Sequence, residues 1–203
     1  MNIISKAVKE LETKIYGSGC DDGVVTFSKV QKPEKCQYLN GECIKASYGG
    51  KHVEIATSYP LELKTKVSFM YGQPLDSPVQ RTAACAILNV LSYFMCFSRT
   101  ARACGKDSHD ACLKELKEII GDKKVFLNGF TPEISNIVSE NIAACPEDAD
   151  IILVSGEGLF DDEKLNITEE FLTKKRVIFT GPETSGICTI ENHEYFCPYA
   201  RKK

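Results

Sequence analysis

Ile151-Ile152-Leu153-Val154-Ser155-Gly156-Glu157-Gly158 sets four consecutive apolar residues directly before a small polar loop with two glycines. The same grammar recurs on either side of it. Lys124-Val125-Phe126-Leu127 runs into Asn128-Gly129-Phe130-Thr131-Pro132, and Val177-Ile178-Phe179 runs into Thr180-Gly181-Pro182-Glu183-Thr184-Ser185. Short β-branched runs that alternate with helical stretches predict parallel strands in an α/β layer. Ligands of such sheets sit outside the carboxyl ends of the strands. The three loops therefore mark where a ligand would lie.

Working outward, a helix is expected near 109–120, stopped by Gly121. Thr131-Pro132-Glu133 starts the helix after the first strand, and Asn166-Ile167-Thr168-Glu169 reads as the capping box of the next. Residues 186–199 read as a short hairpin. Toward the N-terminus, Ile3, Ile4, Ala7, Val8, Leu11 and Ile15 recur with helical period before Gly17. Strand-like pieces follow over 23–30, 36–47, 52–57 and 63–70, with Gly49-Gly50 as a hairpin turn. Ser77, Pro78 and Gln80 then open a long helix that is apolar on nearly every face from Ala83 to Phe97. A helix of that kind is buried on all sides. The polar, basic stretch 98–107 separates an α+β unit over 1–100 from a parallel α/β unit over 105–203.

Bulk properties narrow the function. Lys plus Arg number 25 and Asp plus Glu 28, a net charge of −3, with the basic residues scattered among acids. That balance argues against a nucleic-acid partner. The apolar run from Ala83 is broken by Asn89 and Ser92 and is too short to span a bilayer, so no membrane partner is expected. Met1-Asn2-Ile3-Ile4-Ser5-Lys6 lacks the pattern of a secretory signal, and a cytoplasmic location is expected. The ten cysteines then read mainly as buried reduced thiols.

The glycine loops are the first candidate for chemistry. Their amides and hydroxyls, together with helix N-termini, suit a polar ligand. The candidate binding residues are Asn128, Gly129, Thr131, Ser155, Gly156, Glu157, Thr180, Gly181, Thr184 and Ser185. The plainer reading is that these residue types serve turn geometry alone. Neither G-x-G-x-x-G after the first strand nor a P-loop is present. Glu157, Asp161, Asp162 and Glu163 would repel a pyrophosphate and suit a cation or an amine. Arg81 and Asn89 share a face of the long helix. As buried polar residues they need partners, and they either join the two units or face the ligand. Two thiol–imidazole clusters, Cys104/His109/Cys112 and Cys188/His193/Cys197, carry ligand types for a divalent or soft metal ion. The second adjoins the Thr180–Ser185 loop and is the candidate metal set. A Cys188–His193 nucleophilic pair lacks a third group to orient it.

At this point a resemblance emerges. Tyr71-Gly72-Gln73-Pro74-Leu75-Asp76-Ser77-Pro78, followed by Arg81-Thr82-Ala83-Ala84 and Ala86-Ile87-Leu88-Asn89-Val90-Leu91-Ser92, resembles a pattern of the heavy-metal-chelation family. Ala149-Asp150-Ile151-Ile152-Leu153-Val154-Ser155-Gly156 and Val177-Ile178-Phe179-Thr180-Gly181-Pro182-Glu183-Thr184 resemble two strand-and-loop patterns of its second half. The resemblance implies an enolase-N-terminal-like α+β domain, a small Rossmann-like domain, a pocket between them, and handling of a metal or metal cofactor. Ser155 stands where the family pattern has Thr, and Glu183-Thr184 where it has Ser-Thr. The leading expectation is a binding protein for a metal ion or small polar ligand in an interdomain cleft. The alternatives are a transferase-type enzyme on a nucleotide or adenosyl ligand and a non-catalytic cofactor-assembly partner. Self-association into a homo-oligomer is left open.

Overall fold

The structure, a computed structural model, describes residues 1–31, 33, 41–102, 104–129 and 132–200. Thr131 and Cys36 lie outside the described residues. The fold is mixed α/β, with a four-stranded antiparallel sheet in the first half and a separate four-stranded parallel sheet in the second.

Helix α1, Ile3–Ile15, buries the stripe expected from its period, and the Asn2 side chain accepts from Ser5 N at 2.8 Å to cap it. Strands β1 (Val24–Lys29), β2 (Glu42–Tyr48), β3 (Lys51–Thr57) and β4 (Lys64–Lys66) form the antiparallel sheet in the order β3-β2-β1-β4. Gly49 and Gly50 have φ of 53° and 77°. Left-handed backbone at both central positions is what a two-residue hairpin between twisted strands requires. Residues 67–70, expected to continue the last strand, form a 3₁₀ turn instead, because Val67 and Met70 turn inward to the core.

Helix α2, Pro78–Phe94, starts at a complete capping box between Ser77 and Gln80. Every residue from Arg81 to Ser92 is buried. The first-half core and the helices of the second half close over it on opposite sides in one continuous apolar cluster. Each fully buried Ile or Leu here contributes about 1.5–3 kcal/mol. The two halves thus share this core, and the second half adds a smaller cluster of its own on the far face of its sheet.

The second half contains α3 (His109–Ile120), β5 (Val125–Asn128), α4 (Pro132–Ile137), β6 (Ile151–Val154), α5 (Glu157–Phe160), α6 (Asp162–Phe171), β7 (Arg176–Thr180), α7 (Ser185–Glu191) and β8 (Tyr195–Phe196). All neighbouring strands are parallel, in the order β5-β6-β7-β8. Alternate side chains divide between the two faces of the sheet. Ile151, Leu153 and Ile178 pack with Leu113, Leu116, Ile134 and Val138 of α3 and α4. Ile152, Val154, Val177 and Phe179 belong to the large core with α5, α6, α7 and α2.

Two sequence expectations fail. Asn166-Ile167-Thr168-Glu169 lies inside α6 and does not start a helix. The cap is Asp161, whose carboxylate accepts from Lys164 N at 3.0 Å, while Thr168 is fully buried and donates to Gly158 O at 2.8 Å. Residues 186–199 are not a hairpin. They form most of α7 and then β8, which joins the sheet parallel to β7. Asn192, with φ 57°, ends α7 in the left-handed conformation common at helix C-termini. Among the described residues no helix is long and apolar enough to cross a membrane.

Candidate functional site

The helices that follow β5 and β6 lie on opposite faces of the sheet. The β5 connection leads to α4, which packs with α3, and the β6 connection leads to α5 and α6 on the side of α2. The carboxyl ends of the strands are the usual ligand position in open α/β sheets. Gly129, with φ 93°, and half-buried Ser155 stand at these ends, joined by a hydrogen bond from Ser155 Oγ to Gly129 O. A Cβ on Gly129 would stand 2.6 Å from Gly158 N, so the two loops meet as closely as backbone allows. Asn128 is turned to α6 instead. Its amide donates to Lys164 O and Thr168 Oγ1, both at 2.8 Å, and ties β5 to α6.

Two carboxylates stand at the next two loops. Glu157 and Glu183 are each 7% exposed, and a Cβ on Gly156 would lie 2.7 Å from Glu183 Cβ. Both reach the first half. Ser58 N donates to Glu157 at 2.8 Å, and Ala56 N donates to Glu183 at 3.2 Å. These N–H groups belong to the outer edge of β3 and the residue just past it, so the acids of the second half satisfy donors that the sheet leaves unpaired. Glu157 is flanked by Tyr59, whose hydroxyl donates to Asp161 at 3.0 Å and is pushed up to about 12 by burial and then by that carboxylate. No ion pair is formed by Glu157 among the described residues.

The remaining expected residues serve architecture. Thr180 is nearly buried, and its carbonyl accepts from Thr184 Oγ1 at 3.2 Å. Gly181 (φ 84°) accepts from the same hydroxyl and from Tyr195 Oη. Thr184 and Ser185 are fully buried, and Ser185 Oγ meets the hydroxyls of Ser98 and Thr100 at 3.1 Å. Arg81 donates from Nε and Nη2 to Phe160 O at 2.9 and 2.7 Å, from Nη1 to Leu75 O, and pairs with Asp162. Asn89 donates to Pro182 O and Glu183 O at 2.8 and 3.0 Å and accepts from Gly186 N. Both join the two halves through buried, satisfied polar groups.

The candidate metal set is dispersed by its elements. Cys188 is buried on α7, and burial pushes its thiol well above the ordinary range. His193 lies against the Phe179 ring at 5.4 Å with Nε2 buried and unbonded, its pKa lowered by burial and then by Lys6. Cys197 follows β8, and burial pushes its thiol up to about 12. Among the described residues no group of three or more His, Cys, Asp or Glu side chains is arranged to hold a metal ion.

Sequence reasoning listed Glu157 but passed over Glu183 as a site residue, along with the Ala56–Tyr59 segment that both acids contact. The only local hint was a glutamate in two of the three loops. The β3 partners are distant in sequence and left no signal. Compared with family models, with curated proteins and with solved structures, the chain matches none.

Proposed function

We propose that this chain is a binding protein for a small polar ligand, either a metal ion or a cationic or hydrogen-bond-donating molecule, held in the crevice at the carboxyl ends of β5 and β6. Gly129, Ser155 and Gly156 form its walls, and Glu157 supplies the recognition charge. In this reading the first half corresponds to the enolase-N-terminal-like domain and the second to the Rossmann-like domain of the heavy-metal-chelation family. The chain works in the cytoplasm, where the described cysteines form no disulfide.

The observation that carries the reading is Glu157. It is a nearly buried carboxylate at a strand end of a parallel sheet, bonded among the described residues by one backbone N–H and by no cation. An ionised carboxylate out of water needs a partner of opposite charge or several donors. A bound cation or donor-rich ligand meets that need, whereas an anion or a pyrophosphate worsens it.

The test is elemental analysis and native mass spectrometry on protein purified without oxygen. A thermal-shift panel of divalent ions and small amines follows on the wild type and on Glu157→Gln. The variant keeps an acceptor for Ser58 N and removes only charge. We expect one bound species or one stabilising compound, with affinity weakened by about tenfold or more in the variant, equivalent to roughly 1.4 kcal/mol. A chain with no bound mass and no shift across the panel overturns the proposal.

A further inference from the structure

A cavity of about 610 Å³ lies in the first half, between α1 and the segment that leads into α2. Small-molecule sites usually span roughly 300–1,000 Å³. No residue of the strand-end loops lines this cavity, so it is independent of the site proposed above. One wall is a face of α1, where Ser5, Val8, Lys9 and Glu12 recur at three- and four-residue spacing.

The other wall is anchored on both sides. Tyr71 Oη donates to the Asp21 carboxylate. Four residues on, Leu75 is fully buried with φ 54°, and its carbonyl accepts from Arg81 Nη1 at 3.1 Å. Gln73 lies between these anchors and Asp76 just past them, and both line the cavity. The anchors fix the course of this segment beside α1, so the space is built into the fold. Val8 and Met70 are buried and give the cavity an apolar floor.

The walls carry charges of both signs. Lys9 stands toward the first turn of α1, which has no acidic residue to oppose an incoming anion. Glu12 lies three residues further along, about 4.5 Å up the helix axis, and Asp76 adds a second carboxylate. Among the described residues Lys9, Glu12 and Asp76 form no ion pair. A simple anion that reached Lys9 would also meet two carboxylates, and a simple cation would meet Lys9. A molecule with both charges answers both walls, since each mismatch costs affinity.

We propose that this cavity binds a small zwitterion of the amino-acid class, a free amino acid or a dipeptide with an aliphatic side chain. Its carboxylate pairs with Lys9, its ammonium group pairs with Glu12 and Asp76, and its side chain lies on Val8 and Met70. The amide of Gln73 can both donate and accept, and it serves either end of the ligand.

The experiment is calorimetric titration of the full chain with L-leucine and leucylleucine. The comparators are N-acetylleucine, which lacks the ammonium group, and leucinamide, which lacks the carboxylate. The expected result is one zwitterion bound per chain, with each comparator weaker by about tenfold or more. Lys9→Met should weaken leucine by a similar factor and leave leucinamide unchanged. Glu12→Gln combined with Asp76→Asn should weaken leucine and leave N-acetylleucine unchanged. Lys14→Met, on the same helix but outside the cavity, should leave leucine binding as it is. If a variant fails to fold, the comparator series on the wild type decides alone. The proposal is overturned if neither zwitterion binds at millimolar concentration, if the comparators bind as tightly, or if the Lys9 and Glu12 variants bind leucine as Lys14→Met does.

Discussion

At the scale of single residues, Asn89 shows how much of the join between the halves rests on one side chain. Its amide donors bind two carbonyls of the loop before α7, and its carbonyl takes the Gly186 N–H at 2.5 Å. Leucine has similar volume but no polar atoms. Asn89→Leu removes the acceptor of Gly186 N and a donor from each carbonyl, of which Pro182 O keeps the Ser185 N–H, at roughly 1–3 kcal/mol for each buried group left unpaired. We expect a loss of about 2 kcal/mol or more, read as a lower urea midpoint at unchanged slope. A loss under about 1 kcal/mol would mean that water reaches these carbonyls. Gly186 is the complementary case. A Cβ there would fall 2.6 Å from the Leu88 carbonyl carbon and 2.7 Å from Asn89 N, atoms of a helix backbone that cannot step aside. Gly186→Ala should cost about 1–3 kcal/mol through overpacking of α7 on α2. Gly105→Ala, where a Cβ meets nothing within 4 Å, serves as the control with little change.

At the scale of elements, the sequence is readable where structure is set locally. Helix α2 carries its start signal in four residues, and Ser77→Ala should lower stability by about 1 kcal/mol in thermal or chemical unfolding, the usual worth of an N-cap. An unchanged midpoint would show that Pro78 and burial hold the start unaided. The Gly49-Gly50 turn and the strands on either side were legible for the same reason. Helix α6 was not, because Asn166-Ile167-Thr168-Glu169 has the letters of a cap while Thr168 is taken by Gly158 O of the preceding segment. The 186–199 segment misled in the same way. Its glycine, threonine and β-branched residues are poor helix formers, and α7 exists because Ile187, Cys188 and Ile190 are buried and Gly186 fits against α2. For the candidate site, apolar runs ending in glycine loops mark the strand ends from sequence alone. How each loop residue is used does not follow from them. Thr184 and Ser185 turned inward, and Glu157 and Glu183 found donors on β3, because tertiary partners decide direction at those positions.

At the scale of the whole molecule, the contacts that carboxylates make across the seam between the halves all run one way, although Gly186 N donates in the other direction to Asn89. Ile3 N donates to Glu169 at 2.6 Å, Ala56 N to Glu183, Ser58 N to Glu157 and Tyr59 Oη to Asp161, while Arg81 pairs with Asp162. The first half supplies the donors and the second half supplies five carboxylates, so acid should act on this seam. For Asp161, burial alone would raise the pKa, but the Lys164 N–H, the Tyr59 hydroxyl and the Lys164 charge outweigh it and hold the carboxyl below its ordinary range. A depressed carboxyl adds stability that is present above its unfolded value, about 3.9, and is lost as pH falls through the folded value. His193 acts earlier. Its folded pKa lies below the ordinary value of about 6.5 because burial, and then Lys6, disfavour the charged ring. The unfolded chain therefore takes up that proton first, and stability declines as pH drops below about 6.5. Glu191 opposes this, since burial and then Glu10 raise its pKa against the pull of Lys6 and Lys14. A raised carboxyl regains stability as pH falls through its folded value. The expected profile of unfolding free energy against pH has two limbs, a shallow decline beginning below about 6.5 and a steeper one below about 4. His193→Phe should flatten the upper limb alone, and Tyr59→Phe should weaken the lower one. A profile that stays level down to about pH 4 in the wild type, with His193→Phe superimposed on it, would place His193 in contact with water rather than against Phe179.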